Sequence, residues 1–356
     1  MEESKYVNPG RGGWLLALGL LVLLAAAAPA PARAQGGPPP DNPSGQEDGF
    51  RVDDATHLET LDFPSTQRLR DALRFQLDSR FIPDAGLGSG HATEYQPDLR
   101  GRFTLPLDDR AVLRISGRAG MTHYSFRGNP DPFFRENLDL YRTRLAVQGA
   151  YLLNPDGWNL WREGERWSLL GAVQGSSDFQ SGEFDEGLSV LGALSIGYEI
   201  PDRLRVALGV SLSTSPQEGG VDPSPAVFVR WNVTDRLTLR SRGLGAQAEY
   251  RLSPKLELFV TATRATDSYA LKPRDSTFLA FATSPPPRFD DLSLRDRKLL
   301  TGVGFEYKLS RALRINTEVG AVAWRHVRVS SDDFGTVVSR SGDPAAYLEV
   351  RFEVRP

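Results

Sequence analysis

Two residues with the chemistry of an acyl hydrolase stand two positions apart in the sequence. His123 is a candidate general base and Ser125 a candidate nucleophile, and side chains at positions i and i+2 of a β-strand point to the same face. Leu113, Ile115 and Met121 share that parity, so the pair is predicted on the apolar face of its strand. The alternative is that the spacing is accidental and that His123 is an interfacial residue near the rim of the fold.

A larger set of ionisable side chains alternates with apolar residues between positions 205 and 353. Because both signs are present, the set is expected either to cross-link itself by ion pairs or to line a water-filled lumen whose field sorts ions. Four of its arginines fall between positions 230 and 251 and predict a basic patch that favours anions, with Glu249 and Glu257 available for structural pairing. The predicted lumen residues are Arg205, Arg230, Arg240, Arg242, Glu249, Arg251, Glu257, Glu306, Lys308, Arg314, Glu318, Glu349, Arg351 and Glu353.

The chain offers little for metal or cofactor chemistry. The acidic stretch from Asp178 to Glu186 supplies oxygen ligands of the kind that Ca²⁺ prefers, but without the regular spacing of a dedicated cage. The sequence has no cysteine, which excludes thiolate nucleophiles and cysteine-based zinc sites. We therefore expect neither a metal nor a cofactor.

The composition argues against a nucleic-acid partner. The 356 residues carry 42 Lys and Arg against 45 Asp and Glu, a net charge of −3, and the basic residues form no stripe along the sequence. The hydrophobic fraction of 40% is enough to build a substantial apolar surface.

The N-terminal segment predicts export. Two basic residues precede an apolar stretch from Trp14 to Ala28, and an Ala-x-Ala site ends at Ala34. The stretch is shorter than the roughly 20 residues of a membrane-spanning helix, so we predict a signal peptide over residues 1–34 that is cleaved after Ala34. Residues 35–70 follow as a Pro/Gly-rich periplasmic linker and N-terminal segment, and residues 71–356 form the main domain.

Apolar and polar residues alternate with a period of two along most of the main domain. Every second residue from Ala346 to Val354 is apolar, and the residues between them include Glu349, Arg351 and Glu353. This pattern predicts β-strands with one oily and one charged face. No later apolar run approaches the length of a membrane helix, so a membrane location requires a closed barrel, in which every backbone amide is paired.

A sequence motif that occurs four times predicts tight hairpins. It reads YEIPDRLRV from Tyr198, WNVTDRLTL from Trp231, YRLSPKLEL from Tyr250 and YKLSRALRI from Tyr307. Turn residues separate two apolar runs in each copy, as in a short β-hairpin. The aromatic residue precedes the turn at the depth where a membrane barrel meets water, so Tyr198, Trp231, Tyr250 and Tyr307 are predicted to form part of an aromatic girdle beside short periplasmic turns.

Longer polar connections alternate with the tight turns, at residues 127–137, 177–186, 215–224, 272–296 and 330–343. Tight periplasmic turns and long external loops are typical of outer-membrane barrels. The pattern predicts an all-β fold, an antiparallel up-and-down transmembrane barrel of about fourteen strands, with twelve as the alternative because the strands around Gly243 are short. A soluble periplasmic β-barrel that binds an apolar ligand is a further alternative, because alternation alone does not say which face is inside.

At this level the chain resembles bacterial outer-membrane β-barrel proteins, and the stretch from Trp231 to Leu256 is similar to a family of such barrels without a characterised function. The resemblance covers residues 72–356. It implies a barrel in the outer membrane of a Gram-negative bacterium but not a chemistry. From the mixed charges of the predicted lumen, we expect a passive, porin-like pore or transport-related protein for small polar solutes, or a structural protein of the cell envelope. The resemblance also implies contact with outer-membrane lipid, the barrel-assembly machinery and periplasmic chaperones. The chain departs from the pattern in ending at Pro356 rather than at a terminal aromatic residue.

The spacing of His123 and Ser125 is similar to that of outer-membrane phospholipases. The segment HYSFRG, however, lacks the Asn-Gly that follows the nucleophile in those enzymes. The sequence therefore favours a barrel without enzymatic activity, with a hydrolase of membrane lipid as the alternative.

Overall fold

The computed structural model describes residues 73–128, 132–134, 137–153, 165–215, 220–241, 244–275, 288–289, 291–332 and 335–355. The predicted signal peptide and linker lie outside these residues, as does Arg242. Within them, no helix is long and apolar enough to cross a membrane.

The described chain is built from β-strands and one short 3-10 turn, Pro132–Phe134. The strands are β1 (Leu73–Leu87), β2 (Gly90–Pro106), β3 (Ala111–Arg127), β4 (Leu138–Leu152), β5 (Arg166–Gln180), β6 (Leu188–Ile200), β7 (Leu204–Ser215), β8 (Gly220–Asn232), β9 (Leu237–Ser241), β10 (Leu244–Arg251), β11 (Leu256–Leu271), β12 (Arg274–Asp275), β13 (Arg288–Phe289), β14 (Leu292–Lys308), β15 (Leu313–Ser331), β16 (Gly335–Gly342) and β17 (Ala345–Val354). β12 and β13 pair only with each other.

The main sheet closes on itself. Each strand from β1 to β11 pairs with the next, β11 pairs with β14, and β14 pairs with β15. β16 and β17 lie one beyond the other along β15, and β17 returns to β1 with Phe75 opposite Val354 and Phe81 opposite Leu348. Neighbours around the wall are antiparallel, so the fold is a closed antiparallel barrel of 14 strands. The predicted all-β barrel is confirmed, and the twelve-strand alternative is wrong because β9 and β10 form a short hairpin between β8 and β11.

The wall is apolar outside and polar inside. Leu145, Val173 and Leu194 face outward and are 61%, 61% and 59% exposed, whereas Asp98 and Gln148 face inward and are buried. A soluble protein rarely exposes so continuous an apolar surface. Along this part of the wall the described interior is polar, so it does not form the apolar ligand chamber of the soluble alternative.

Several strands run further than the sequence predicts at the end opposite the tight hairpins; we call the two ends the long-loop end and the short-turn end. β1 and β2 are joined by a two-residue turn that needs left-handed backbone at Gly88 (φ 61°). β14 already begins at Leu292, and β16 occupies much of the predicted loop 330–343. In these extensions apolar residues such as Leu292 and Val338 are buried inside. In these extensions the apolar residues therefore face the interior, whereas along the rest of each strand they face outward.

The barrel narrows toward the long-loop end. β9 stops at Ser241 and β10 starts at Leu244, whereas β11 continues to Leu271 and contacts β5 directly, with Ala270 opposite Phe179. Side chains from opposite walls therefore meet in the interior at this level.

Candidate functional site: a basic chamber closed at one end

A cavity of about 730 Å³ occupies the interior of the barrel. Side chains of β1–β5, β8–β11, β14, β15 and β17 line it, and the lining residues Arg236 and Arg355 place one of its limits at the short-turn end. We call this cavity the chamber. Its volume is in the range of pockets that hold small molecules.

Most of the predicted lumen residues lie on the chamber wall. Arg205 is not among the lining residues and forms an ion pair with Glu199 (2.7 Å), and Arg242 is outside the described part of the chain. The residues on the wall are Arg230, Arg240, Glu249, Arg251, Glu257, Glu306, Lys308, Arg314, Glu318, Glu349, Arg351 and Glu353.

Sequence reasoning missed the part of the wall formed by β1–β4. These strands add acidic and basic residues to the lining: Arg74, Asp78, Arg80, Asp98, Arg100, Arg102, Arg114, Arg118, Arg142 and Arg144. The alternation that identified the C-terminal strands also runs through this region, so the parity of each strand is the signal that could have found them.

The chamber wall is strongly basic. It holds sixteen arginines and one lysine against nine carboxylates, an excess of eight positive charges, although the whole chain carries −3. A cleft lined by one sign of charge focuses its field and concentrates ions of the opposite sign. The chamber is therefore suited to anions.

Ion pairs neutralise part of this charge. On the wall formed by β1 and β17, Arg80 contacts Glu349 and Arg351 contacts Asp78, each at 2.7 Å. Cross-linking by ion pairs, one of the two arrangements expected from the sequence, is thus present in part of the wall. Among the lining residues it does not remove the excess, because the arginines outnumber the carboxylates. Asp178, outside the lining, contacts two of these arginines, Arg142 at 3.0 Å and Arg144 at 3.5 Å.

Three arginines stand in register across neighbouring strands near the short-turn end. Arg205 is opposite Arg230, and Arg230 is opposite Arg240. The outer two are bound to Glu199 and Glu249 at 2.7 Å, while Arg230 between them is exposed and lines the chamber. Like charges directly opposite each other are destabilising. An anion bound beside Arg230 would relieve this repulsion.

An apolar cluster fills the barrel at the long-loop end. We call it the plug, and because its side chains come from strands on opposite walls it closes this end of the described barrel. Phe134, from the 3-10 turn, is fully buried at its centre and packs against Phe126 with ring centroids 5.1 Å apart. The plug comprises Leu87, Ala92, Tyr124, Phe126, Phe133, Phe134, Leu138, Leu140, Tyr269, Leu271, Phe289, Leu292, Leu294, Val327, Val329 and Val338.

A layer of buried charges adjoins the plug. Lys298 Nζ lies 2.6 Å from Glu94 Oε1 and 3.1 Å from Asp296 Oδ2. Arg325 Nη2 contacts the same two carboxylates at 2.7 and 2.6 Å, and the hydroxyl of Tyr124 donates a hydrogen bond to Asp296 (2.8 Å). The layer joins β2 to β14 and β15 across the interior. It therefore holds the two walls together below the plug.

The four predicted girdle residues face outward near the short-turn end. Tyr250 and Tyr307 are exposed, Tyr198 lies against Trp167 with ring centroids 4.8 Å apart, and Trp231 has outward parity on β8. Their positions mark one edge of the exposed apolar surface that includes Leu145, Val173 and Leu194, which we call the apolar belt.

His123 and Ser125 lie on the outer face of β3, as their parity predicts. His123 Nδ1 is 2.6 Å from Asp139 Oδ1 on β4. Ser125 is partly exposed on the same face, toward the long-loop end. The structure thus adds a carboxylate partner for the histidine that sequence reasoning did not identify. The cross-strand register, in which His123 is opposite Asp139, is the reason they meet.

Solved structures of bacterial outer-membrane barrels have similar folds. One is an outer membrane channel from Pseudomonas putida F1, with 10% identity over 79% of this chain and 93% of that chain and a TM-score of 0.40. Another is the deltaS2 mutant of the TodX monoaromatic hydrocarbon channel, with 9% identity, coverages of 80% and 91%, and a TM-score of 0.39. A third is the translocator domain of the autotransporter NalP from Neisseria meningitidis, with 12% identity, coverages of 80% and 89%, and a TM-score of 0.34. No protein-family model and no curated protein sequence matches the chain.

The closed antiparallel barrel of 14 strands is established by the strand pairing of this chain itself. Neighbours with TM-scores of 0.34 to 0.40 carry no argument about this chain, so its function has to be argued from its own chamber, plug and outer surface.

Proposed function

We propose that the protein is a transport-related barrel of the outer membrane whose chamber takes small anions. The exposed apolar belt supports a location in lipid, and the tight turns at one end support an orientation with that end in the periplasm and the long loops outside. Insertion would then involve the barrel-assembly machinery and periplasmic chaperones. The single observation that carries the choice of solute is the excess of eight positive charges on the chamber wall.

The arginines suit carboxylate and phosphate groups in particular. A guanidinium group donates two parallel hydrogen bonds to either anion, and such charge-assisted bonds are among the stronger ones in proteins. Arg230 is the best-placed residue to receive the solute, because it is exposed to the chamber between two other arginines. Passage to the outside requires the plug to move, so we expect small and infrequent conductance.

Ion selectivity in a planar bilayer tests this proposal. Under a potassium chloride gradient, the reversal potential is expected to show preference for chloride over potassium. Arg230→Gln should reduce that preference. Phe134→Ala should raise the conductance because it removes a fully buried ring from the plug. Arg127→Gln, which changes an exposed residue of outward parity on β3, is the matched control and should leave both quantities unchanged.

A preference for potassium would contradict the proposal. Absence of conductance in both the wild type and Phe134→Ala, with correctly folded protein, would instead support a sealed structural protein of the cell envelope.

A second candidate function is hydrolysis of membrane lipid, and the contact between His123 and Asp139 is the observation that favours it. A carboxylate at Nδ1 orients the imidazole and leaves Nε2 to act as a base toward a nearby hydroxyl, for which Ser125 is the candidate. The test is fatty-acid release from phospholipid vesicles by the wild type and by Ser125→Ala. Equal background rates for the two proteins would remove this candidate.

A further inference from the structure

A short acidic stretch of the chain precedes the barrel. Residues 53–62 contain four carboxylates, Asp53, Asp54, Glu59 and Asp62, and neither lysine nor arginine. We call these ten residues the acidic segment, and they lie outside the part of the chain that the structure describes. Their charge of −4 is opposite in sign to the excess of eight positive charges on the chamber wall. The acidic segment and the wall are therefore complementary in charge.

The acidic segment is joined to the barrel at the end where the chamber has its limit. β1 begins with Leu73 at the short-turn end, and its second residue, Arg74, lines the chamber. Asp62 precedes Leu73 by 11 positions, and an extended chain of this length reaches at most about 36–40 Å. The lining residues of β1 extend from Arg74 to Arg80, which is roughly 20 Å along the strand. The connection is therefore long enough for the acidic segment to reach the chamber wall.

Two arginines near the short-turn end are available to bind carboxylates. Arg230 lies on β8 and Arg236 in the turn between β8 and β9, and both line the chamber and are exposed. Neither side chain makes an ion pair or a hydrogen bond with another described residue. A guanidinium group binds a carboxylate through two parallel hydrogen bonds. These two arginines are therefore the expected contacts of the acidic segment.

Attachment to the same chain favours the acidic segment over anions from solution. A ligand tethered by a short flexible linker acts at an effective concentration on the order of millimolar. Its four carboxylates can also engage several basic residues of the wall at once. A small anion that enters the chamber therefore has to compete with a ligand that is always present.

We propose that the acidic segment binds the basic wall of the chamber from the short-turn end, with Arg230 and Arg236 among its contacts. Bound there, its carboxylates compete with anionic solutes for the same arginines. The chain itself thus supplies a ligand that regulates the access of anions to the chamber. This inference rests on the basic chamber on which the proposed function also depends, but the contact does not require transport.

Disulfide cross-linking of the folded barrel in vesicles tests the contact, because the native chain has no cysteine. Thr56→Cys places a thiol within the acidic segment, and Ser116→Cys places a second one on the chamber wall. This pair is expected to form an intramolecular disulfide under mild oxidation. The control combines Thr56→Cys with Leu208→Cys, a position that is 58% exposed on the outer face of β7, and should form none.

Removal of charge tests the cause of the contact. In the protein with cysteines at positions 56 and 116, neutralisation of the acidic segment should slow cross-linking at least about tenfold, because one charge-assisted hydrogen bond is worth a factor of this order. Arg230→Gln/Arg236→Gln should slow it as well. The variant of the acidic segment is Asp53→Asn/Asp54→Asn/Glu59→Gln/Asp62→Asn.

The matched control removes four carboxylates from the long-loop end and should leave the rate of cross-linking unchanged. Its substitutions are Glu183→Gln, Asp185→Asn, Glu186→Gln and Asp291→Asn. Each variant is first shown to be folded by its heat-dependent gel mobility.

Equal cross-linking from position 56 to positions 116 and 208 would overturn the proposal, as would an unchanged rate in the variant of the acidic segment. An equal decrease in the long-loop control would show a dependence on net charge alone and would also overturn it. Ion selectivity of the same proteins separates this inference from the proposed function. A preference for potassium with the expected cross-linking would contradict only the proposed function, and a preference for chloride without cross-linking would contradict only the contact with the acidic segment.

Discussion

Replacing Lys298 with methionine is expected to lower the free energy of unfolding by about 3–5 kcal/mol, the range for breaking a buried ion pair by removing one partner. The side chain is fully buried, and its Nζ lies 2.6 Å from Glu94, 3.1 Å from Asp296 and 3.4 Å from Asp267. Methionine keeps most of the volume, so packing changes little. The carboxylates of Glu94 and Asp296 are then left to share Arg325, in a site that water does not reach.

Urea-induced unfolding from phospholipid vesicles, followed by tryptophan fluorescence, measures this change. The matched control is Lys308→Met. Lys308 makes an ion pair of similar length with Glu257 (2.7 Å), but its side chain is 26% exposed on the chamber wall. Water screens that pair, so its loss is expected to lower stability by about 1 kcal/mol or less.

A double-mutant cycle separates the charge from the packing. Glu94→Gln combined with Lys298→Met should be less destabilised than the sum of the single variants, because each change removes a charge that the other leaves unbalanced. A loss of stability in Lys298→Met no larger than in Lys308→Met would contradict the role of this buried charge layer, as would additive effects of the two changes in the cycle.

Two further predictions concern packing. A Cβ atom on Gly320 would lie 2.1 Å from the carbonyl oxygen of Thr301, so Gly320→Val should prevent formation of the heat-modifiable folded band on gels. The control is Gly149→Val, which should fold normally because no atom lies within 4 Å of the added Cβ. Normal folding of both variants would contradict the packing of β14 against β15. Phe134→Ala should lower the free energy of unfolding by about 3–5 kcal/mol, because it leaves a cavity in the plug, and a loss below about 1 kcal/mol in the same urea experiment would show that the plug does not pack as described.

The fold could be predicted from the sequence because most of the wall obeys one rule: apolar residues face outward, and the residues that alternate with them face inward. From Leu204 to Leu212, for example, the oily residues face out and the others face in, so parity alone assigns each side chain to a face. The rule fails at the long-loop end. There Leu292, Leu294 and Val338 face inward into the plug, so the same alternation that identifies a strand elsewhere gives the opposite face.

The contacts across the interior could not be predicted from parity. Glu94 and Lys298 are 204 positions apart, and both belong to strands whose inward faces are evident only once the barrel is closed and narrowed. The meeting of His123 with Asp139 likewise depends on the register of β3 and β4. By contrast, the basic residues of β1–β4 obey the same period-two rule as the predicted lumen residues, so the sequence contained the information needed to place Arg100 and Arg118 on the chamber wall.

The central claim is that the outward side chains of this barrel face hydrocarbon while the inward ones face a watery chamber. Because the chain has no cysteine, single cysteines can be introduced and labelled with an environment-sensitive fluorophore. Leu208→Cys on β7 samples a side chain that is 58% exposed on the outside, and Arg230→Cys on β8 samples the chamber. In vesicles, this distribution of side chains predicts quenching of the label at position 208 by lipids with brominated chains and quenching of the label at position 230 by aqueous iodide. Equal quenching of both labels by iodide, with none by brominated lipid, would contradict it.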